Sequence, residues 1–275
     1  MGTSESGPGG SQSVDRAAAL LSLVARAGGV DVPMTRLTEA SGLSRPTVRR
    51  LMLALIRAGF IEQDPQTRHY ALGAESFVIG LQAQRRFNLL DCAIDSLLAL
   101  CAHSGDSSFL TIRRGSHAVC VHREEGSYPI RTQALQAGDC HPMGVGAGSM
   151  AMLSALPDDE RDEVLAILGD RLVADYPAYT PATVREHVRL TRQRGWSLND
   201  GLNLANSWAI GVALRGPDGQ VIGALSIAAL DSRLGAERQA ELAGMLQREA
   251  RLSEARLRRR LGPDTPSHPS PESST

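Results

Sequence analysis

The chain of 275 residues contains no lysine, so all 29 of its basic residues are arginine. This absence excludes functional sites that depend on a lysine amine. Such sites include the Walker A phosphate loop, lysines that form Schiff bases, and Ser-x-x-Lys nucleophile motifs. Enzymes built on these motifs are therefore excluded.

Cysteine is also scarce, with only four residues in unrelated sequence contexts. We expect a cytoplasmic protein, and because the cytoplasm is reducing, a disulfide framework is not expected. We interpret all four as ordinary thiols. They are Cys92, Cys101, Cys120 and Cys140.

Long apolar runs are missing as well, since none approaches the ~20 residues that a membrane-spanning helix needs. The N-terminus has neither the basic start nor the apolar stretch of a secretory signal peptide. We therefore expect a soluble, cytoplasmic protein that makes no contact with a membrane.

Composition changes at both ends of the chain. Residues 1–12 are rich in glycine and serine, and residues 262–275 are rich in proline, serine and threonine. We expect both segments to be disordered. The length of the chain fits one small domain plus a larger one, at ~100–200 residues per domain.

The most informative pattern predicts a helix, a tight turn and a second helix. Residues 34–40 form the first predicted helix, residues 41–43 the turn, and residues 44–51 the second helix. Ser44 is a suitable N-cap, and Pro46 falls in the first turn, where its missing N–H is not needed. Apolar residues at intervals of three to five are expected to share one buried face. They are Leu37, Ala40, Leu43, Val48, Leu51 and Leu55.

The flanking segments complete a larger motif. Residues 60–63 and 68–72 flank the turn at residues 64–67, which has proline at its second position, and together they predict a β-hairpin. Upstream, residues 13–27 predict an amphipathic helix that stops at the glycines 28–29. This order of elements is typical of a winged helix-turn-helix, which binds DNA.

Charge favours DNA as the partner of this segment. Residues 13–72 contain eight arginines and five acidic residues, whereas the whole chain has a formal net charge of −1. A local basic excess suits site-specific binding to double-stranded DNA. The alternative is a solvated arginine face without a partner, but the order of turn, cap and hairpin favours DNA. The residues expected to contact DNA are Thr35, Ser44, Arg45, Thr47, Arg49, Arg50 and Arg68.

These motifs resemble those of the IclR family of bacterial transcription regulators. The resemblance rests on residues 13–17, 47–51 and 59–65, continues at residues 223–227, and covers about residues 13–260. It implies an α+β protein in which a winged helix-turn-helix is joined by a linker helix to a GAF-like α/β effector-binding domain. It also implies a homo-oligomer, either a dimer or a tetramer.

We therefore divide the chain into a DNA-binding domain at residues 13–73, a linker helix at 74–88 and an effector-binding domain at 89–261. Periodicity in the last domain predicts both strands and helices. Strands are expected at 107–113, 118–123, 210–215 and 221–228, and helices at 147–156, 157–168, 181–194 and 236–261.

A glycine-rich run at residues 144–149 precedes a predicted helix. It fails the dinucleotide-binding fingerprint, because Ser149 stands where the third glycine is needed. We therefore expect no cofactor. The free N–H groups at such a helix start suit a small carboxylate, and the resemblance implies that this run lines the effector pocket. The alternative is that the glycines only permit close packing.

The resemblance adds further expected pocket residues. Asn199 and Asp200 fall where relatives place acidic or amide contacts, and Ser226 falls where they place a hydroxyl. Trp208 lies where relatives often carry an Arg-Cys pair, which suggests a larger, aromatic or partly apolar organic acid as effector, unless Trp208 is a core anchor. The expected effector contacts are Gly146, Ala147, Gly148, Ser149, Asn199, Asp200, Ala209 and Ser226.

Catalysis is the rival class of function. Adjacent residues on a strand point in different directions, and no Gly-x-Ser-x-Gly or His-Glu-x-x-His motif is present. Metal binding lacks a second pair of ligands at a suitable spacing. We predict no catalytic residue and no metal site. The groups considered were His117, Cys120, His122, Cys140 and His141.

The sequence thus predicts a transcriptional regulator, a repressor rather than an activator, whose affinity for its operator is controlled by a small carboxylate-bearing effector. Two winged helices in a dimer would bind a pseudo-palindromic operator in double-stranded DNA. Effector binding would favour one arrangement of the DNA-binding domains over another. The alternative is a small-molecule sensor or an enzyme without a DNA-binding role.

Overall fold

A computed structural model describes residues 12–25, 27, 30–87, 89–130 and 135–261 of the chain. The chain divides into two compact units, residues 1–87 and residues 88–275. The predicted disordered ends lie outside the described residues, apart from Gln12, which begins the first helix. The predicted glycine stop at residues 28–29 also lies outside them.

The first unit has the element order of a winged helix-turn-helix. Its core consists of apolar side chains from three helices and a hairpin, including Leu20, Leu37, Val48 and Ile61. The elements are α1 (Gln12–Ala25), α2 (Met34–Ser41), α3 (Arg45–Arg57), β1 (Ile61–Gln63), β2 (Tyr70–Leu72) and α4 (Ala74–Phe87).

The turn between α2 and α3 depends on Gly42. Its φ of +65° lies in the left-handed region, and its N–H donates to the carbonyl oxygen of Thr38 at 3.1 Å. Glycine adopts this conformation without a steric penalty, so the predicted turn is confirmed.

The prediction that Ala40 lies on the buried face of α2 is wrong. Ala40 is exposed, whereas Leu37 is buried. Three residues advance a helix by about 300°, which places Ala40 about 60° from the direction of Leu37, at the edge of the buried face. Its methyl group therefore remains in solvent.

The hairpin is short, with Ile61 opposite Leu72 in an antiparallel pair. Val32 and Tyr70 exchange two backbone hydrogen bonds of 2.8 and 2.9 Å, so the segment before α2 adds a third short piece to this small sheet. The hairpin is thereby attached to the body of the first unit.

The second unit contains five α-helices and six strands among its described residues. Its helices are α5 (Leu89–Ser104), α6 (Ala147–Ala155), α7 (Asp158–Asp175), α8 (Pro181–Arg194) and α9 (Ala236–Leu261). Its strands are β3 (Ser107–Arg114), β4 (His117–Glu124), β5 (Cys140–Pro142), β6 (Ser197–Asp200), β7 (Ser207–Arg215) and β8 (Val221–Leu230).

The six strands form one antiparallel sheet in the order β5-β4-β3-β8-β7-β6. Side chains alternate between its two faces. Leu225 and Ile227 belong to the core formed with α5 and α9, whereas Ala224 belongs to the core formed with α6, α7 and α8. The sheet therefore lies between two helical layers, which confirms the predicted α+β class.

The two edge strands, β5 and β6, were not predicted from the sequence. They are only three and four residues long and include polar residues, so their alternation is too short to recognise. The predicted helix at 157–168 in fact continues to Asp175, with a non-helical Gly169 at φ +50°. By contrast, α9 has the predicted bounds.

All four cysteines carry free thiols, as expected. Within the described ranges, no helix combines the length and the apolar character needed to cross a lipid bilayer.

Candidate functional site

The helix α3 has one buried and one exposed face. Val48 and Met52 pack in the core, while Arg45, Arg49 and Arg50 are exposed. Arg45 and Arg49 are four residues apart and therefore lie on the same stripe of the helix. Among the residues that the structure describes, no acidic side chain forms a salt bridge with these three arginines. Their charges are thus available to a partner.

Ser44 and Thr47 lie at the start of the same helix. Ser44 occupies the N-cap position with extended backbone angles, but its side chain makes no cap hydrogen bond. Its hydroxyl instead lies 2.9 Å from the hydroxyl of Thr47. The capping role predicted for the Ser44 side chain is therefore wrong, because the two hydroxyls satisfy each other. In the first turn, the N–H groups of Arg45 and Thr47 have no acceptor within the helix and can bind an anion.

The hairpin turn carries Arg68 at its end. The carboxylate of Asp64 accepts hydrogen bonds from the N–H groups of Gln66 at 2.8 Å and Thr67 at 2.6 Å, and these bonds lower the pKa of Asp64. Arg68 has a φ of +61° and an exposed side chain. Thr35 is exposed in the first turn of α2. The seven predicted DNA contacts therefore belong to the start of α2, the start of α3 and the hairpin.

A cavity that is partly open to solvent lies between the start of α6 and the sheet of the second unit. Seven of the eight predicted effector contacts line it, and the exception is Asp200. Asp200 is exposed because neighbours on β6 point to opposite faces, and Asn199 takes the inner one. The lining residues that were predicted are Gly146, Ala147, Gly148, Ser149, Asn199, Ala209 and Ser226.

Two residues hold the start of α6 against the sheet. Gly211 on β7 has no Cβ, and a Cβ built there would lie 2.9 Å from the carbonyl carbon and oxygen of Ala147. The hydroxyl of Ser197 on β6 donates to the carbonyl oxygen of Ala147 at 2.6 Å and lies 3.2 Å from that of Gly211. Close approach of backbone to backbone, which glycine permits, thus sets one wall of the cavity.

Two hydroxyl groups of the cavity lining lie next to the first turn of α6. A Cβ built on Gly148 would lie 3.4 Å from both the Thr111 hydroxyl on β3 and the Ser226 hydroxyl on β8. Neither hydroxyl forms a hydrogen bond with another described residue. The N–H groups in the first turn of α6 have no acceptor within the helix. Hydroxyl donors and helix N–H groups therefore face one space, an arrangement that suits a carboxylate.

The side chains of Ser149 and Asn199 form hydrogen bonds with the backbone next to the cavity. The Ser149 hydroxyl donates to the carbonyl oxygen of Pro142 at 3.1 Å and accepts from the N–H of Gly144 at 2.8 Å. The Asn199 Oδ1 accepts from the N–H groups of the turn that follows, at 3.2 and 3.0 Å. Both side chains thus shape the walls of the cavity.

Tyr179 supports the same wall and was not recognised from the sequence. Its hydroxyl accepts hydrogen bonds from the N–H of Gly146 and from Nδ2 of Asn199, each at 3.1 Å. The side chain is buried, and burial raises the pKa of Tyr179 to about 12. It therefore acts as a neutral group that holds the glycine-rich loop in place.

Trp208 does not line the cavity. Ala209 faces the cavity, so Trp208 points to the opposite side of β7, where it packs against the core formed with α5 and α9. The position of Trp208 therefore gives no support for an aromatic effector, and the alternative of a core anchor is correct.

Four residues on β3 and β4 also line the cavity and were not predicted from the sequence. Phe109 and Thr111 face the cavity, as do Ala118 and Cys120. Each pair has the spacing of two that places side chains on one face of a strand. This spacing of two is visible in the sequence, but it does not show which face of a strand borders a cavity.

Cys120 and His122, two of the groups considered for catalysis, do not form a reactive pair. Burial raises the pKa of Cys120 to about 12, so its thiol stays protonated. Its Sγ points to the backbone oxygen of His122 at 3.5 Å, while the His122 ring lies 3.2 Å from Glu124. In the part of the chain that the structure describes, no group of three or more histidine, cysteine or acidic residues could hold a metal ion.

Comparison with known proteins covers both units. Residues 81–253 match the family model for the bacterial transcriptional regulator IclR C-terminal domain, and residues 13–65 match the model for the IclR helix-turn-helix domain. The acetate operon repressor of Salmonella typhimurium strain LT2 is 26% identical over 242 residues, which cover 87% of this chain and 88% of that protein.

Solved structures share the fold. An IclR transcriptional regulator from Alicyclobacillus acidocaldarius is 22% identical with a TM-score of 0.75, covering 90% of this chain and 99% of that one. An IclR homolog from Microbacterium hydrocarbonoxydans, in complex with 4-hydroxybenzoate, is 17% identical with a TM-score of 0.69, covering 90% of this chain and 99% of that one.

Proposed function

Because the chain belongs to the IclR family of DNA-binding transcriptional regulators, we propose that it is a repressor whose affinity for DNA is set by an acid bound in the cavity. Its family consists of regulators and not of enzymes, and the acetate operon repressor is one similar member. The helix-turn-helix match at residues 13–65 leaves no support for a sensor or enzyme without a DNA-binding role.

The DNA contacts of this proposal come from α3 and the hairpin. The exposed, unpaired arginines of α3 enter the major groove, where Arg49 binds the edge of a base and the hydroxyls at the helix start contact phosphate. Arg68 of the hairpin contacts the adjacent backbone or minor groove. Thr35, at the start of α2, contacts a phosphate.

The regulator acts as a dimer in this proposal, and α4 supplies the contact. Phe77, Val78, Ile79 and Leu81 of this helix are all exposed. Such a run of exposed apolar residues is typical of a surface that a partner covers. We assign this surface to the same helix of a second copy, and a two-fold dimer requires a pseudo-palindromic operator.

The effector in this proposal is an organic acid. The observation that carries it is the position of the unpaired hydroxyls of Thr111 and Ser226 next to Gly148, in the first turn of α6. A carboxylate there would accept hydrogen bonds from hydroxyl and N–H donors at the positive end of a helix dipole. The 4-hydroxybenzoate bound by the Microbacterium homolog is an acid of this class.

Effector binding regulates because it favours one arrangement of the DNA-binding units. The affinity for DNA changes only if the acid binds the two arrangements with different free energies. The same coupling requires that operator DNA change the affinity for the acid by the same factor.

The test combines operator binding with an acid panel. Fluorescence anisotropy with an operator duplex should show that at least one acid weakens DNA binding about 10-fold, a typical allosteric coupling. Ser226→Ala should bind the operator like the original protein but should need a higher acid concentration for release. Ser232→Ala, an exposed serine outside the lining residues, serves as the matched control. A Ser226→Ala protein with an unchanged acid response would contradict the proposed site.

A further inference from the structure

His141 lies at one edge of the cavity. It belongs to β5, the edge strand, and pairs with Ala118 on β4, which also lines the cavity. Thr111 lies on β3, two strands away. Adjacent strands are 4.7–4.9 Å apart, so the backbones at His141 and Thr111 are separated by about 10 Å across the sheet. The cavity therefore has a second polar group well away from the hydroxyls of Thr111 and Ser226.

The His141 ring is held in place on one side. Its Nδ1 lies 3.1 Å from the Tyr176 hydroxyl, and the two rings meet edge to face with centroids 6.1 Å apart. Tyr176 in turn packs edge to face against Tyr179, which supports the cavity wall. A ring oriented in this way can bind a ligand without first losing rotational freedom.

The other ring nitrogen lacks a partner. Nε2 of His141 is buried and forms no hydrogen bond with any described residue. Burial lowers the pKa of His141, so the ring is neutral at neutral pH and Nε2 is either one donor or one acceptor. A buried polar atom without a partner is unfavourable and rare, so it needs an explanation. Because His141 lines the cavity, a ligand can supply the missing partner.

We propose that the effector carries a hydroxyl group at the end away from its carboxylate, and that Nε2 of His141 binds this hydroxyl. The inference rests on the proposed function, in which the carboxylate lies between α6, Thr111 and Ser226. A hydroxyl group both donates and accepts, so it pairs with His141 in either tautomer. Between the two polar ends, Phe109 and Ala118 offer an apolar surface to the body of the acid.

The test is calorimetric titration of the full chain with pairs of acids that differ by one hydroxyl. The probes are benzoate and 4-hydroxybenzoate, cyclohexanecarboxylate and its 4-hydroxy derivative, and hexanoate and 6-hydroxyhexanoate. We expect the hydroxylated member of at least one pair to bind at least 10-fold more tightly. In His141→Leu this ratio should fall below threefold, because only the hydroxylated acid loses a partner.

Two further variants separate recognition from structure. His141→Gln retains a hydrogen-bonding group and should restore part of the preference. His103→Leu removes an exposed imidazole that is paired with Glu241 and should leave the preference unchanged. If His141 only stabilised the fold, His141→Leu would weaken both members of a pair equally, which would overturn the inference.

The remaining outcomes are also decisive. The inference is overturned if the original protein binds both members of every pair equally, or if the preference survives in His141→Leu. In either case the proposed function stands as long as plain acids still release the operator. Failure of every acid to bind overturns the inference together with the acid effector of the proposed function. Operator binding, measured separately, tests the DNA-binding half.

Discussion

Two glycines, Gly148 in the first turn of α6 and Gly211 on the facing strand β7, show how single residues shape the cavity. A Cβ on Gly211 would meet the backbone of Ala147 at 2.9 Å, which no side-chain rotation can relieve. A Cβ on Gly148 would meet two hydroxyl oxygens at 3.4 Å, an ordinary contact, but would occupy space inside the cavity. Gly211 therefore permits close packing, and Gly148 leaves space in the cavity.

Gly211→Ala should lower the free energy of unfolding by about 1–3 kcal/mol, the usual effect of overpacking. Gly148→Ala should retain nearly all of the stability and lose affinity for the effector. Urea denaturation and calorimetry measure the two quantities. If the Gly211→Ala protein were as stable as the original, the close contact between Gly211 and the backbone of Ala147 would be contradicted.

Tyr179 gives the protein a predictable response to high pH. Its folded-state pKa of about 12 lies above the ordinary value of about 10, so only the unfolded chain ionises this hydroxyl between these values. Stability from Tyr179 is therefore complete below pH 10 and is lost as the pH rises from 10 to 12, by about 2–3 kcal/mol.

Denaturation from pH 8 to 12 should show a shallower decline for Tyr179→Phe than for the original protein, although the variant starts less stable because it loses two hydrogen bonds. Cys120 titrates in the same range in both proteins, so its contribution cancels in the comparison. Parallel curves would contradict the burial of the Tyr179 hydroxyl.

Residues of the cavity were predictable to different degrees. The glycine-rich run and Ser226 could be placed by resemblance. The prediction for Asp200 was wrong, because neighbours on a strand point to opposite faces and Asn199 takes the inner one. Thr111 and His141 lie more than 25 residues apart in sequence, so only the pairing of β3, β4 and β5 brings them to one cavity.

Among the elements, α3 carries the sharpest prediction. Arg49→Ala should weaken operator binding by about 1–3 kcal/mol and relax the preference for one base pair. Arg57→Ala is the matched control, since Arg57 is exposed in the last turn of the same helix, away from the hydroxyls at its start. Anisotropy with operator variants measures both. A uniform loss across all sequences would make Arg49 a phosphate contact instead.

Elements with long periodic patterns were predicted well. The helices α6, α8 and α9 and the strands β3 and β8 lie within three residues of their expected bounds. Each places several apolar residues on one face, and this repeated burial is what a sequence pattern records. The strands β5 and β6 depend on pairing with a neighbour rather than on their own apolar residues, so no local pattern identified them.

At the scale of the whole molecule, the chain combines a unit of winged helix-turn-helix form with a unit that contains a cavity. The first unit follows from local signals such as the turn glycine and the hairpin turn, which sequence reasoning recovers. The cavity arises from contacts among six strands and one helix, which are distant in sequence. Sequence reasoning therefore identified the class of protein more readily than the chemistry of its ligand.

Selection from a random duplex DNA pool tests whether this chain binds a specific two-fold operator through α3. Purified protein should enrich an inverted repeat, and affinity for it should fall steeply with salt because phosphate contacts release counterions. The Arg49→Ala/Arg50→Ala protein should enrich nothing. Absence of enrichment by the original protein, with and without an acid mixture, would contradict the account, as would an inverted repeat that the double variant still selects.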